Sequence, residues 1–314
     1  MSAVEAFAAE VEAVWGRAVV GQRELLEGLL VTVLIGGNAL LEGPPGTAKT
    51  LAVKALARCL DLPAGRIQMT PDLLPADLTG GSVLERDGGF RFREGPLFTT
   101  FLLADEVNRA PAKTQAALLE AMEERQVTIE GRSYELPPCF TVFATQNPLE
   151  YEGTYPLPEA QLDRFHLHVK VDYPSEGAER ELLGRVQSGG RSSLHELALT
   201  AVTDAQGLLA LQQAVQGVRV AEEVLDHLLA LCRRTRTDPR CLLGASPRAA
   251  TVLLEASKAR AALRGRDYAT PDDVLAMLAP VLRHRIVLHG EAELAGLDVE
   301  AVLLDLASAG VVPR

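Results

Sequence analysis

Along the first two-thirds of the chain, short continuous apolar runs alternate with stretches whose apolar residues recur at helical spacing. An apolar run bounded by turn formers reads as a strand buried on both faces, and its alternation with helices reads as a parallel α/β sheet. Asn38–Glu42, Phe101–Ala104 and Cys139–Ala144 are predicted strands of this kind. Helices are predicted from about Lys49 to Leu60 and from Ala112 to Arg125, the latter with Leu118, Leu119 and Met122 at core spacing. His166 and His168 alternate along a further predicted strand, where packing or exposure is expected rather than ligation.

Two hairpins interrupt the alternation. Ser82–Arg86 and Phe90–Phe92 flank Asp87-Gly88-Gly89, and Gln126–Ile129 and Ser133–Leu136 flank Glu130-Gly131-Arg132. On pattern alone they decorate a sheet edge as readily as they carry a function. Around Gln187–Ser193 the sequence turns Gly/Ser-rich, as in a linker, and beyond it the pattern is helical. Ser246-Pro247 and Thr270-Pro271 each place an N-cap residue before a proline suited to the first helical position. Asp272 and Asp273 follow in a first turn, where negative charge suits the helix dipole. The expected division is an αβα core with two hairpin inserts over 1–185, a linker over 186–199 and a small all-α domain over 200–314.

Composition narrows the class. A hydrophobic fraction of 47% supports a globular core, and no apolar run reaches membrane-span length. The first fifteen residues carry several glutamates and no cationic segment, so a soluble cytoplasmic protein is expected. The formal net charge of -11 disfavours nucleic acid as the main partner, because duplex affinity comes largely from neutralised phosphates. The four cysteines show neither a CxxC pair nor zinc-ligand spacing and are read as reduced thiols.

The chemistry is concentrated in Gly43-Pro44-Pro45-Gly46-Thr47-Ala48-Lys49-Thr50, set between a predicted strand and a predicted helix. A triphosphate requires inward-facing backbone N–H groups, a cation near its β/γ oxygens and an oxygen ligand for Mg²⁺. The turn at a helix N-terminus, Lys49 and Thr50 supply these in order. Ala48 stands where such loops usually have glycine; its methyl is harmless provided residue 48 has an ordinary negative φ. The apolar strand Phe101–Ala104 then ends in two acids, Asp105 and Glu106. Acids at a strand's C-terminal end stand where α/β folds bind ligands. Asp105 is suited to hold Mg²⁺ through its water shell, and Glu106 to polarise an attacking water.

These residues resemble the Walker A and Walker B motifs of AAA+ ATPases, and the fold implied is a P-loop core with a parallel sheet flanked by helices plus a helical lid. The run with Asn108-Arg109-Ala110-Pro111 and Ala117-Leu118-Leu119-Glu120-Ala121-Met122-Glu123 resembles the MoxR family, in which alanine before the P-loop lysine is also at home. The resemblance covers essentially the whole chain. It implies that Val20-Gly21-Gln22 lies beside the adenine and that Asn147, after a predicted strand, is the sensor that positions water. It implies that Arg164, in Leu162-Asp163-Arg164-Phe165, is the arginine finger offered to a neighbour's γ-phosphate. Without the resemblance, Arg164 reads as a surface arginine paired with Asp163 or Glu159. Arg248 falls in a first helical turn, where a cation opposes the dipole and so hints at a ligand. The resemblance makes it the lid's second sensor, acting on its own subunit's nucleotide or on a neighbour's.

The resemblance further implies ATP/ADP and Mg²⁺ as cofactors and a ring, commonly a hexamer. It implies chaperone-like remodelling of a protein client, with a von Willebrand factor A domain protein as the expected partner class, and hairpins that face a pore. The rival expectation is a nucleic-acid-dependent motor of the same branch, with Arg86, Arg91, Arg93 and Arg132 in or beside the hairpins. Net acidity and an aromatic content of only 4% weigh against it, since single strands are gripped by cationic grooves and stacking rings.

Overall fold

The apolar runs become the inner strands of one five-stranded sheet in the computed structural model, which describes residues 2–84, 90–129, 131–148, 155–188 and 199–308. The strands are β1 (Ala39–Glu42), β2 (Ala64–Gln68), β3 (Gly80–Leu84), β4 (Phe90–Glu94), β5 (Phe101–Asp105), β6 (Gln126–Ile129), β7 (Arg132–Glu135), β8 (Thr141–Gln146) and β9 (Leu167–Lys170). The helices around them are α1 (Ala3–Trp15), α2 (Arg23–Leu34), α3 (Lys49–Cys59), α4 (Pro75–Thr79), α5 (Ala112–Glu124), α6 (Glu159–Leu162) and α7 (Glu176–Gln187). The central sheet runs β2-β5-β8-β1-β9 with every pairing parallel.

Burial explains the order. Phe101 and Leu103 of β5 face one core while Leu102 and Ala104 face the other, so this strand is apolar at successive positions and central. Phe101 packs edge-to-face on Phe143 of β8 with ring centroids 5.5 Å apart. Strand β2 lies at the sheet edge and alternates exposed with half-buried residues, without an apolar run. It escapes sequence reading for that reason, and it carries Arg66 and Gln68.

The hairpin predictions are met in part. β3 pairs antiparallel with β4 and β6 with β7, but each pair is a separate two-stranded sheet. Neither adds a strand to the edge of the central sheet among the described residues, so the edge-decoration reading is overturned. The reason is packing across the hairpins: Phe92 of β4 stacks on Tyr134 of β7 at 4.4 Å, and Phe98 meets both rings edge-on. The predicted turn at 87–89, Arg86, Glu130 and most of the Gly/Ser-rich segment lie outside the described residues.

The C-terminal part is helical: α8 (Ala205–Gln216), α9 (Glu222–Thr237), α10 (Pro247–Leu263), α11 (Pro271–Leu282), α12 (Gly290–Leu294) and α13 (Val299–Ser308). Ser246 caps α10 by accepting from the Ala249 N–H, and Thr270 and Asp273 form a reciprocal capping box on α11. This lid shares one continuous hydrophobic core with α1, α2, α3 and one face of the sheet. Polar ties reinforce the contact: Arg260 of α10 and Arg264 at its C-cap meet Glu27 of α2 at 3.1 and 3.0 Å. Arg285, only 2% exposed, is held by Asp163 at 2.6 Å and by the Phe165 carbonyl at 2.6 Å. No described helix is long and apolar enough to cross a membrane.

Candidate active site

The loop from Gly43 to Thr50 leaves β1 at the C-terminal edge of the sheet and opens α3. It borders a cleft of about 490 Å³ lined by Pro45 to Leu51, Arg66, Gln68, Asp105, Glu106, Thr145, Gln146 and Asn147. Gly46 has φ +85° and Ala48 has φ +66°. The condition under which the Ala48 methyl would be harmless, an ordinary negative φ, is therefore not met. The loop places a left-handed residue immediately before the helix, and alanine bears the steric strain that glycine would avoid. Lys49 folds back over the loop, donating to the carbonyls of Gly43 and Pro44 at 2.6 and 2.8 Å. Burial pulls its ammonium pKa down, opposed by the field of Asp105, Glu106 and Glu42. Thr47 also closes the loop, through a hydroxyl bond to the Pro44 carbonyl.

At the end of β5 the two acids have separate partners. Asp105 is 5% exposed; its Oδ1 accepts from the hydroxyls of Thr145 and Thr50 at 3.2 and 3.4 Å. Its Oδ2 receives Arg66 at 2.6 Å. Glu106 has φ +58°, a conformation held by its own N–H donating to the Thr145 hydroxyl at 2.9 Å. This kink turns the Glu106 carboxylate away from Asp105, toward Gln68 at 2.7 Å and Arg109 at 3.2 Å. Sequence reading missed Arg66, Gln68 and Thr145. The available signal was alternation: Arg66 and Gln68 lie two apart on an edge strand and so share a face, and Thr145 precedes the Gln146-Asn147 pair by one residue.

Val20, Gly21 and Gln22 stand apart from that cleft. Gln22 donates to the Asp172 carbonyl at 2.9 Å, and Gly21, at φ +72°, lies so close to Ala178 that a Cβ would stand 2.4 Å from the alanine's own. The segment is thereby fixed against the start of α7. Only glycine fits there, for both reasons.

Arg164 and Arg248 do not line the cleft. They meet each other on Glu123: Arg164 Nε is 2.9 Å from Oε2 and Arg248 Nη1 is 3.2 Å from Oε1. The sequence-level alternative for Arg164, pairing with Asp163 or Glu159, gives way because Asp163 is taken by Arg285. Topology places this meeting point. Glu123 ends α5, which descends from the C-terminal edge to re-enter the sheet through β8, and Arg164 shortly precedes the first residue of β9. The arginine pair therefore lies at the N-terminal edge of the sheet, with the phosphate loop at the other. Strands of four to six residues separate the edges by roughly 13–20 Å, longer than an arginine side chain. Near the pair, Arg125 donates to the carbonyls of Phe140 and Gly36, and His166 accepts the Asn38 N–H at Nδ1. Burial first, then Arg285, Arg248 and Arg125, push the His166 pKa down to about 3. Next to it, His168 is buried with Nε2 2.5 Å from a Glu42 carboxylate oxygen, within the packing role expected from sequence.

A parallel sheet with a phosphate loop after one strand, paired acids after another and a helical lid defines an AAA+ P-loop ATPase. Comparison with known proteins agrees and goes further. Residues 38–167 match the profile of the ATPase family associated with various cellular activities, and 233–306 match the AAA lid domain. The chain is 43% identical to Chaperone MoxR1 of Mycobacterium tuberculosis, over 91% of this chain and 77% of that one. It is 32% identical to Protein MoxR of Paracoccus denitrificans, over 96% and 95%. It is 42% identical to the protein YeaC of Bacillus subtilis, over 95% and 92%. A crystal structure of an ATPase candidate from Cytophaga hutchinsonii superposes with TM-score 0.91 at 39% identity, covering 99% of this chain and 96% of that one. The chain belongs to the MoxR family of AAA+ ATPases, and its reaction is ATP hydrolysis.

Proposed function

We propose that this ATPase works as a ring, commonly a hexamer in such proteins, in which each ATP is bound by one subunit and attacked with the help of the next. The observation that carries the reading is the separation of the phosphate cleft from the Arg164–Arg248 pair across the height of the sheet. Neither arginine can serve its own subunit's phosphates, so both act in trans. Lys49 and the loop N–H groups hold the β and γ phosphates, and Asn147 with Glu106 orients the water whose proton Glu106 accepts. Val20, Gly21 and Gln22 border the adenine. The Thr50 hydroxyl and the Asp105 carboxylate form an oxygen set that fits Mg²⁺, which would neutralise phosphate charge there.

Hydrolysis to ADP and phosphate drives work on a protein client, a chaperone-like role supported by the kinship with Chaperone MoxR1. The two hairpins are the client-facing elements: Val83 and Leu84 of β3 are 50% and 63% exposed, and the aromatic stack makes the hairpins move together. A von Willebrand factor A domain protein is the partner class that family resemblance suggests. The test of the ring is complementation. Arg164→Ala and Lys49→Ala subunits should each be inactive alone, and mixing them should restore turnover at interfaces that join an intact loop to an intact arginine pair. Mixed rings, verified by native mass spectrometry, that stay inactive would overturn the trans assignment. Stimulation by single-stranded DNA but by no protein would replace the client reading with a nucleic-acid motor.

A further inference from the structure

We infer that Glu123 is a positioning residue: its carboxylate holds Arg164 and Arg248 together as a two-pronged clamp for the phosphate of a neighbour's nucleotide. The inference rests on the trans reading above and adds a residue that neither the motifs nor the phosphate cleft point to. The two guanidinium groups come from different parts of the fold, Arg164 from the core segment before β9 and Arg248 from the first turn of lid helix α10. Left alone, two like charges this close would repel and swing apart. One carboxylate between them, with one oxygen for each, removes the repulsion and fixes their spacing.

The other charged groups nearby are already committed. Asp163 is bound by the buried Arg285, and Arg125 is spent on two backbone carbonyls. His166 is held neutral by burial and by the surrounding guanidinium groups, with its Nδ1 taken by the Asn38 N–H. Glu123 is thus the acid that both arginines share. It is half-exposed, as are they, with side-chain exposures of 33–41% across the three residues. The cluster accordingly faces outward, where another subunit can present an anion.

A carboxylate and a phosphate are recognised by the same guanidinium fork. Each arginine has five N–H donors, and a single contact with Glu123 leaves donors for a phosphate oxygen. Glu123 presents the pair in the spacing an oxyanion needs, and the arginines share or shift their donors when the neighbour's γ-phosphate arrives. Because one arginine belongs to the lid and the carboxylate to the core, the clamp is assembled only when the lid is seated. That ties lid position in one subunit to hydrolysis in the next.

The test is Glu123→Gln, which keeps size and removes charge. Expected is a loss of roughly tenfold in kcat, while KM and the affinity for a fluorescent ATP analogue stay within about twofold, since the variant's own cleft is intact. Mixing Glu123→Gln subunits with Lys49→Ala subunits should recover turnover, because the latter contribute an intact clamp. Glu123→Asp should recover part of the rate by restoring the charge. In an Arg164→Ala/Arg248→Ala background, Glu123→Gln should change nothing further. If Arg164→Ala complements Lys49→Ala while Glu123→Gln turns over like the parent protein or fails to complement, the positioning role is wrong and the ring stands. If neither variant complements, the ring reading falls and this inference falls with it.

Discussion

The two edges of the sheet hold their charged side chains in opposite ways. At the C-terminal edge the charged groups of the phosphate cleft have partners from the same αβα core: Lys49 on loop carbonyls, Asp105 on Arg66 and two threonines, Glu106 on Gln68 and Arg109. At the N-terminal edge the arginines are joined across two parts of the fold by one acid. The first arrangement is preorganised whenever the core is folded; the second depends on the seating of the lid and, in the ring proposed above, would be completed by another subunit. In that proposed ring, binding belongs to one chain and the rate to two.

The largest effects that would break this contrast lie in the cleft. Lys49→Ala should abolish nucleotide binding, whereas Glu106→Gln should leave binding intact and lower kcat by about 10²–10⁴-fold. Equilibrium binding beside single-turnover kinetics separates the two, and equal loss of affinity in both variants would refute the division of roles. Next in size is Arg66→Ala. The guanidinium on Asp105 Oδ2 opposes a second cation, so its removal should move the Mg²⁺ concentration for half-maximal turnover, and the Mn²⁺ affinity measured by EPR, several-fold lower. A shift to higher metal concentration would mean that Arg66 instead prepares the site.

Acid should discriminate between the edges. His166 has a folded pKa of about 3, below its ordinary value, so from pH 6.5 downward the unfolded chain binds a proton that the folded one excludes. His284, buried under Phe165 and Arg285, is lowered in the same direction. Stability is therefore full above pH 6.5 and falls as pH drops, by up to about 1.4 kcal/mol per pH unit for each such group. Glu42, beside the phosphate loop, is shifted down from 4.5 chiefly by its bond to His168, so its stabilisation persists above pH 4.5 and is lost only below. Urea unfolding at pH 7.5 and 5.5 should show lower stability at the acid value, and His166→Asn should flatten the difference; an unchanged slope would remove His166 as its source. The smallest effect is expected from Ala48→Gly. Relief of the left-handed strain is partly cancelled by the greater freedom of glycine in the unfolded chain, leaving a gain of at most about 1 kcal/mol in thermal unfolding. Marked destabilisation would show that the methyl packs usefully.

Legibility in the sequence divides along the same line. Gly43–Thr50 and Phe101–Glu106 each carry their chemistry within one contiguous stretch, because a turn feeding a helix and a strand ending in acids are local structures. The helix capped at Ser246, with Arg248 in its first turn, was readable for the same reason. Edge strand β2 was not, since a polar edge leaves no apolar run, and with it went the partners Arg66 and Gln68 of Asp105 and Glu106. The hairpins were readable as hairpins but not as a joined pair, because the contact between Phe92 and Tyr134 spans more than forty residues.

The sequence by itself determined the class of fold, the nucleotide loop and the acids that follow it, since those depend on the order of neighbours along the chain. The tertiary structure decided that Ala48 takes a left-handed backbone, that Arg66 rests on Asp105, and that Arg164 and Arg248 converge on Glu123. A φ angle is chosen by the closure of a loop around its own lysine. The meeting of three side chains from 123, 164 and 248 is chosen by how a lid seats on a sheet, and no spacing along the chain records that distance.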